Sequence, residues 1–566
     1  MILAQAIFHE TDLNPMIHAG EKKATDTSDG PEVVIGLIGP LGVDLGMLTS
    51  ELTAAFSSVK YTTRVINVIE GVLQYEPWER TPSSPYCEKY NARMDAGNEF
   101  RERLNRKDAL GCVAITAIQT ERMKYHDTKD GSQTLPIPRC SYILRSLKTP
   151  EEIAVLRWTY GTNFVAVAAY MPRALRIQAL MRRIADSLGD PEIRRHEADA
   201  ADLLSRDEFE LDDFGQNMRE TYPLADVFID VSSKAVAAKE SLRFVEILFG
   251  HPDHTPRRAE VAMFHAHGAK LRSSSAGRQV GAAIANIAGD ILAVGTNEVA
   301  KAHGGQYWSD EADRYDQRDN RRPGDSTSTM LSALLQDLLL RMQHRGWLAK
   351  DKESIPVDEL CRDAREHLLK KIPKSDRRDG EPPTLGDKAL IEKVIEYMRS
   401  VHGEMAALIS CARRGVPVHG CDMYVTTFPC HECARLIVAA GIEHVYFIEP
   451  YPKSRVAEMY DDSIVVDTGG DSNHVVFQAF VGIAPRRFVE FFEVPEPTNK
   501  SPRSEVRRRN PDGTWVRWED VRGARWPRLF DLPLAILVRE NGELLQFNNT
   551  LIKLGLKNPI EGGIQQ

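Results

Sequence analysis

The chain has 566 residues, 42% of them hydrophobic and 27% charged, with a formal net charge of −9. Such a length asks for two or three cores, the composition is that of a globular protein in water, and the acidic balance disfavours a nucleic-acid-coating role. No run approaches the ~18 apolar residues of a membrane span, no signal peptide is read in Met1–Asn14, and eight cysteines are too sparse for a disulfide framework, so a reducing cytoplasm is expected.

Residues 1–31 end in a polar stretch, Gly20–Pro31, and read as a flexible leader. Val33–Ile38 is a β-branched run that predicts a buried strand running into glycines. The loop that follows, Gly36-Leu-Ile-Gly39-Pro-Leu-Gly42-Val-Asp-Leu-Gly46, stands where backbone amides at a helix start can cradle phosphate. The match to G-x-x-x-x-G-K-[ST] fails, because counting from Gly39 places Asp44 and Leu45 where the last glycine and the lysine belong. Without the lysine, phosphoryl transfer is not expected, and Asp44 would repel a γ-phosphate. Cys112–Ala117 and Leu224–Asp230 are further strand candidates with helical patterns between them. The alternation predicts a parallel α/β domain over residues 32–245, a degenerate P-loop, kinase-like unit. Arg173, Arg176, Arg182 and Arg183 lie on Pro172–Ile184; they form either an exposed charged helix face or something similar to the arginine-bearing lid of nucleotide kinases.

A second domain is expected over residues 255–495. Gln279–Asn286 and Ile291–Gly295 flank Gly289-Asp290, the pattern of a hairpin with a two-residue turn. Residues 306–398 read as an insertion, with Met330, Leu331, Leu334, Leu335, Leu338 and Met342 on one helical face, a soft segment at Pro373–Pro383, and a helix pattern from Ala389 to Met398. Beyond it come His402-Gly-Glu404, a strand at Asp422–Thr427, and Pro429-Cys430-His-Glu-Cys433. Pro495, Pro497 and the basic run Arg507–Arg509 suggest a linker into a C-terminal appendage, residues 496–566.

His402, Cys430 and Cys433 have the residue types and spacing of zinc ligands. In a helix, residues two apart diverge by about 200°, so His402 and Glu404 converge only at a helix N-terminus. Cys430 and Cys433 share one face of a first helical turn, where Pro429 suits the entry and the helix dipole favours thiolates. Three protein ligands leave a fourth position open, as in catalytic zinc sites; a structural zinc closed by His419, Cys421 or His431 is the alternative. The H-x-E…P-C-x-x-C order is that of zinc deaminases, in which the glutamate moves protons, a role that falls on Glu404.

Arg278-Gln-Val-Gly-Ala-Ala-Ile, Gly295-Thr-Asn297, His402-x-Glu404 and Thr427-Phe-Pro-Cys-x-x-Cys433 resemble, in order and character, the deoxycytidylate deaminases. The resemblance implies that Asn297 holds the sugar hydroxyl and that Arg278 lies near the substrate phosphate. Lys301, His303 and Tyr307, at the start of the unusually long connection, would shape the phosphate end. With the P-loop-like unit in front, and with Tyr446–Ser454 and Phe480–Phe488, the chain resembles the bacterial antiphage dCTP deaminases. That implies a kinase-like α/β domain joined to a cytidine-deaminase-like α/β/α domain with a long helical insertion. It also implies Zn2+ as cofactor, and conversion of dCTP, and of dCMP, to deoxyuridine nucleotides so that phage replication is starved. A homo-oligomer, and a regulatory nucleotide near Gly36, Gly39, Gly42, Arg173 and Arg176, follow from the same likeness. A polynucleotide-editing deaminase and a non-enzymatic module with a structural zinc are the competing readings.

Overall fold

A computed structural model describes residues 30–126, 135–208, 210, 213–275, 277–322, 326–369, 389, 391, 397–448, 455–467, 473–493, 509–514, 516, 518, 527 and 530–556. Most of the leader, the Pro373–Pro383 segment, most of the Ala389–Met398 pattern and the end of Tyr446–Ser454 lie outside these residues. The chain divides into two compact units. The first comprises Met1–Glu210, Phe214–Glu260 and Val481–Gln566; the second, Leu211–Asp213 and Val261–Phe480.

In the first unit, β1 (Val33–Ile38), β2 (Thr62–Asn67), β3 (Cys140–Arg145), β4 (Phe164–Tyr170) and β5 (Val227–Asp230) form a parallel sheet in the order β2-β3-β1-β4-β5. Every residue of β1 and β4 is buried, which explains their unbroken apolar runs: a strand covered on both faces has no solvent side to alternate with. The chain fills one side of β1 with β2 and β3 and then crosses to the other with β4 and β5. A crevice therefore opens at the carboxyl end of β1. Gly482–Ile483, arriving from far along the chain, pairs antiparallel with β5 and closes that edge.

One expected strand is a helix. Cys112–Ala117 lies within Ala109–His126, and the reason is burial on all sides. Helices Val68–Val72, Tyr86–Leu104, Pro150–Tyr160 and Pro533–Lys553 all pack against it, so its first turns carry no polar face, and an apolar run of that length does not declare its period. Near its end the fully buried Arg122 is held between Glu32 and Glu540, the latter 2.6 Å away. Glu540 belongs to helix Pro533–Lys553, which buries Ile536, Leu544, Phe547 and Leu551. This part of the C-terminal segment is thus packed into the first unit.

The second unit opens with the expected hairpin. β6 (Gly281–Ala285) and β7 (Ile291–Thr296) run antiparallel, and Gly289 supplies the positive φ of 97° that the turn requires. Next come β8 (Glu298–Val299), β9 (Ser400–Val401), β10 (Asp422–Val425), β11 (His444–Phe447), β12 (Ile464–Val466) and β13 (Val475–Ala479). The mixed sheet has the order β12-β13-β11-β10-β6-β7. β8 and β9 pair with each other, Glu298 opposite Val401. About a hundred residues of connection therefore leave and return at one point, which a growing loop permits because closure entropy rises only slowly with length. Within that connection, helices Ser326–His344 and Val357–Asp363 share a small core of Leu335, Leu339, Leu360, Ala364 and Leu369. The apolar face expected on the first of these is narrower than its composition suggests: Met330, Leu334 and Leu338 are exposed.

Candidate active site

His402 is the N-cap of helix Gly403–Arg414, and Cys430 the N-cap of helix His431–Ala440. Both have extended backbone (φ −66° and −76°), so their side chains escape the helical spacing and turn toward one point. The His402 Nδ1 lies 3.3 Å from each of the Cys430 and Cys433 sulfurs. Zinc–sulfur and zinc–nitrogen bonds of about 2.3 and 2.0 Å at a tetrahedral angle would separate the ligand atoms by about 3.5 Å, so the three side chains fit the metal. Among the described residues, none of His419, Cys421 and His431 brings an atom into this cluster.

Position comes from close backbone packing. Gly295, at the end of β7, leaves no space for a side chain against the first turn of the helix that follows His402. Gly281, at the head of β6, is equally tight against the Ala266 carbonyl oxygen and donates its N–H to Thr426, just after β10. The hairpin is thereby held close against the helix that follows His402 and against helix Arg258–Lys270.

Glu404, on the first turn of its helix, is 3% exposed. Burial, joined by the negative charge of Cys430, raises its pKa above the usual carboxylate range. Hydrogen bonding from Cys433, with His402 adding to it, draws the Cys430 thiol down to about 4. Cys433 moves the other way, through its bond to Cys430 and through burial. His402 is raised, chiefly by its bond to Cys430. The site thus combines one thiolate-favouring cysteine, Cys430, with a carboxyl group poised to hold a proton.

The expected substrate contacts are arranged unevenly. Asn297 is 7% exposed, and its amide spans the start of the hairpin: its Oδ1 accepts from the Val280 N–H at 2.7 Å and its Nδ2 donates to the Arg278 carbonyl at 2.8 Å. Arg278 is exposed. Lys301 forms an ion pair with Glu311 at 2.6 Å and lies 5.9 Å from the Tyr307 ring. His303 (φ 69°) turns the chain with Gly304 and Gly305, and Lys301 accordingly accepts and donates across that tight loop. The sequence reading missed Glu298 and Ser273. The buried Glu298 carboxylate accepts from the Ser274 N–H and hydroxyl, and the Ser273 hydroxyl donates to the Asn297 carbonyl. The available signal was a glutamate between Asn297 and the apolar Val299-Ala300.

In the first unit, Gly36 lies inside β1, where a Cβ would collide with Leu147 and Phe164, so it serves packing. Gly39 packs against Leu45, and Gly42 (φ 96°) against the Arg176 backbone. Arg176 is buried and Arg173 exposed, and both are directed toward Glu208, at 3.8 and 3.5 Å. Asp108, Cys112 and Glu543 also cluster, but Arg106 pairs with both carboxylates, which makes this an ion-pair network.

Residues 256–449 match the family model described as the cytidine and deoxycytidylate deaminase zinc-binding region. ComE operon protein 2 of Bacillus subtilis (strain 168) is 45% identical over 53 residues, 9% of this chain and 28% of that protein. The deoxycytidylate deaminase of Homo sapiens is 43% identical over 53 residues, 9% of this chain and 29% of that protein. The match to the enterobacteria phage T4 deoxycytidylate deaminase is 38% over 55 residues, 10% and 28% of the two chains. The chain therefore spans less than a third of the length of each of these relatives. The crystal structure of dCMP deaminase from the cyanophage S-TIM5 in apo form matches over 40% of this chain and 99% of its own at 14% identity and a TM-score of 0.19. The chain carries a cytidine/deoxycytidylate deaminase domain whose metal is zinc.

Proposed function

We propose that the second unit hydrolyses the exocyclic amino group of free deoxycytidine nucleotides, dCTP and dCMP, to give deoxyuridine nucleotides, and that this depletes the dCTP pool in antiphage defence. The observation that carries the reading is the buried Glu404 beside three converging ligand side chains with no fourth protein ligand among the described residues.

His402, Cys430 and Cys433 would hold zinc, which when bound acidifies a coordinated water. Glu404 takes a proton from the attacking water as its oxygen bonds to C4 of the cytosine ring. It delivers that proton to N3, takes a second from the new C4 hydroxyl and passes it to the amino nitrogen; the C4–N bond breaks as the C4 carbonyl forms, and ammonia leaves. Its raised pKa suits a group that must both accept and return a proton. Asn297 contacts the sugar hydroxyl, supported by its place on the hairpin beside the helix that bears Glu404. Arg278 meets phosphate, supported by its exposure and by the bidentate geometry of guanidinium with phosphate. Lys301, His303 and Tyr307 frame the phosphate end. The first unit is a P-loop-derived domain that takes a regulatory phosphate ligand, and the chain works as a homo-oligomer.

The test is incubation of the purified protein with dCTP, dCMP, CTP and deoxycytidine, with product identification. Glu404→Ala is expected to keep zinc while ammonia release falls by about 10²–10⁴-fold. Normal turnover by that variant would remove Glu404 from the chemistry, and activity confined to deoxycytidine would remove Arg278 from the site.

A further inference from the structure

The first unit contains a cavity of about 440 Å³ at the carboxyl end of β1, lined by the loop Gly39–Gly46 and by residues from seven other segments. It lies where the strand order changes direction, and its size is within the roughly 300–1,000 Å³ of small-molecule sites. Most of the charge in its wall is already neutralised. Arg93 pairs with Glu70 and the buried Arg101 with Glu152. Lys148 is bound to Asp207 and to the Gly39 carbonyl. Arg145 and Arg183 also line the cavity, and among the described residues neither has a carboxylate within ion-pair distance. The Arg145 Nε is moreover buried without a hydrogen-bond partner among those residues.

Two further features define what would sit there. Tyr86 and Tyr90 stack at 4.4 Å between centroids and 28° between planes, and both face the cavity. Gln216, 7% exposed, also lines it, and its Oε1 is buried without a hydrogen-bond partner among the described residues. An unmet amide acceptor in a buried wall is costly unless a ligand completes it, and a nucleobase edge carries the N–H groups to do so. The helix start that would otherwise hold a phosphate is taken: Asp44 caps it, its Oδ1 accepting from the Met47 N–H at 2.9 Å, and its carboxylate opposes a second anion. No lysine stands in the loop for a β- or γ-phosphate.

We propose that this cavity binds a nucleoside monophosphate, with the base on Tyr86 and Tyr90 and within reach of Gln216, and the phosphate on Arg145 and Arg183. The proposal deepens the regulatory-ligand reading above and moves its contacts away from Arg173 and Arg176. The site binds and does not transfer phosphate.

The test is calorimetric titration of the full-length protein with AMP and dTMP, which carry no cytosine, and with adenosine, inorganic phosphate and ATP. At least one monophosphate is expected to bind at one site per chain, with adenosine and inorganic phosphate at least about ten-fold weaker, since charged hydrogen bonds contribute roughly 1.5–3 kcal/mol each. Arg145→Gln and Tyr90→Ala should each weaken binding by about ten-fold, while Glu404→Ala leaves it unchanged. Arg183→Gln serves as the second phosphate variant if Arg145→Gln melts early. The proposal is overturned if neither monophosphate binds, if both arginine variants bind as the wild type does, or if ATP binds ten-fold more tightly than AMP. Absent binding with intact ammonia release from dCTP sinks this site alone; absent ammonia release sinks the deaminase reading whatever the titrations give.

Discussion

A Cβ on Gly295 would stand 2.1 Å from the carbonyl oxygen of Gly403. The strand that leads to Asn297 and the helix that follows His402 meet backbone to backbone, with no room for adjustment by side-chain rotation. Gly295→Ala must therefore push the helix away, at a cost of roughly 1–3 kcal/mol for overpacking, and carry His402 with it. The expected outcome is a folded protein with substoichiometric zinc by atomic absorption and little ammonia release. Full zinc content with normal turnover would show that the helix start tolerates the shift.

Removing the metal should change the thiols as well as the activity. Cys112, Cys140, Cys411 and Cys421 are buried in the packed interior, whereas Cys430 is half-buried beside Cys433. Dialysis against a chelator is expected to expose Cys430 and Cys433, adding about two reactive thiols per native chain in a thiol titration and abolishing deamination. Added zinc should reverse both. An unchanged thiol count after complete zinc loss would contradict the ligand assignment.

Arg122 sits fully buried between Glu32 and Glu540, and Glu32 also accepts from the Tyr142 hydroxyl at 2.9 Å and the Ile137 N–H at 2.7 Å. Arg122→Met removes the one cation and leaves two buried carboxylates facing each other. Breaking such a cluster costs about 3–5 kcal/mol, so the denaturant midpoint of the first unit should fall sharply. The double variant Arg122→Met with Glu540→Gln should recover part of the loss, and no recovery would mean that lost packing rather than charge accounts for the effect.

The tie of the C-terminal helix depends on pH through Asp531. Burial pushes its carboxyl up, but hydrogen bonds from Arg539 and Thr162 outweigh that and hold it below the usual range. Because the folded pKa is depressed, the stabilisation is present above the unfolded value of about 4 and is lost as pH falls through the folded pKa. Wild type and Asp531→Asn should therefore differ in amide protection of Pro533–Lys553 at pH 7, and the difference should shrink as pH falls below about 4. A difference that does not shrink on acidification would assign the tie to something other than the carboxylate charge.

The zinc cluster was legible because each ligand is fixed locally: a histidine and a cysteine at helix N-caps, with Cys433 three residues further on. The hairpin was legible for the same reason, its turn being set by Gly289-Asp290. What escaped was set at long range. Burial on every side of Ala109–His126 erases the periodicity that separates helix from strand, so Cys112–Ala117 was misread. Nothing near Gly482 announces that it pairs with Phe228, 254 positions earlier. The cations of the first-unit cavity come from separate segments, and only the fold reveals that Arg145 has no carboxylate partner among the described residues while Arg176 faces Glu208.

The return of the chain at Val481 bears on how the protein is made. Gly482–Ile483, which completes the sheet edge at β5, and Glu540, which answers Arg122, are translated only after the whole second unit has been. The first unit to begin synthesis is thus the last to be finished, and a nascent chain stopped just before residue 482 leaves the β5 edge of its sheet open. Truncation at the natural-looking boundary near residue 260 should therefore yield an aggregating fragment, whereas excision of the second unit with a short linker should leave a soluble one.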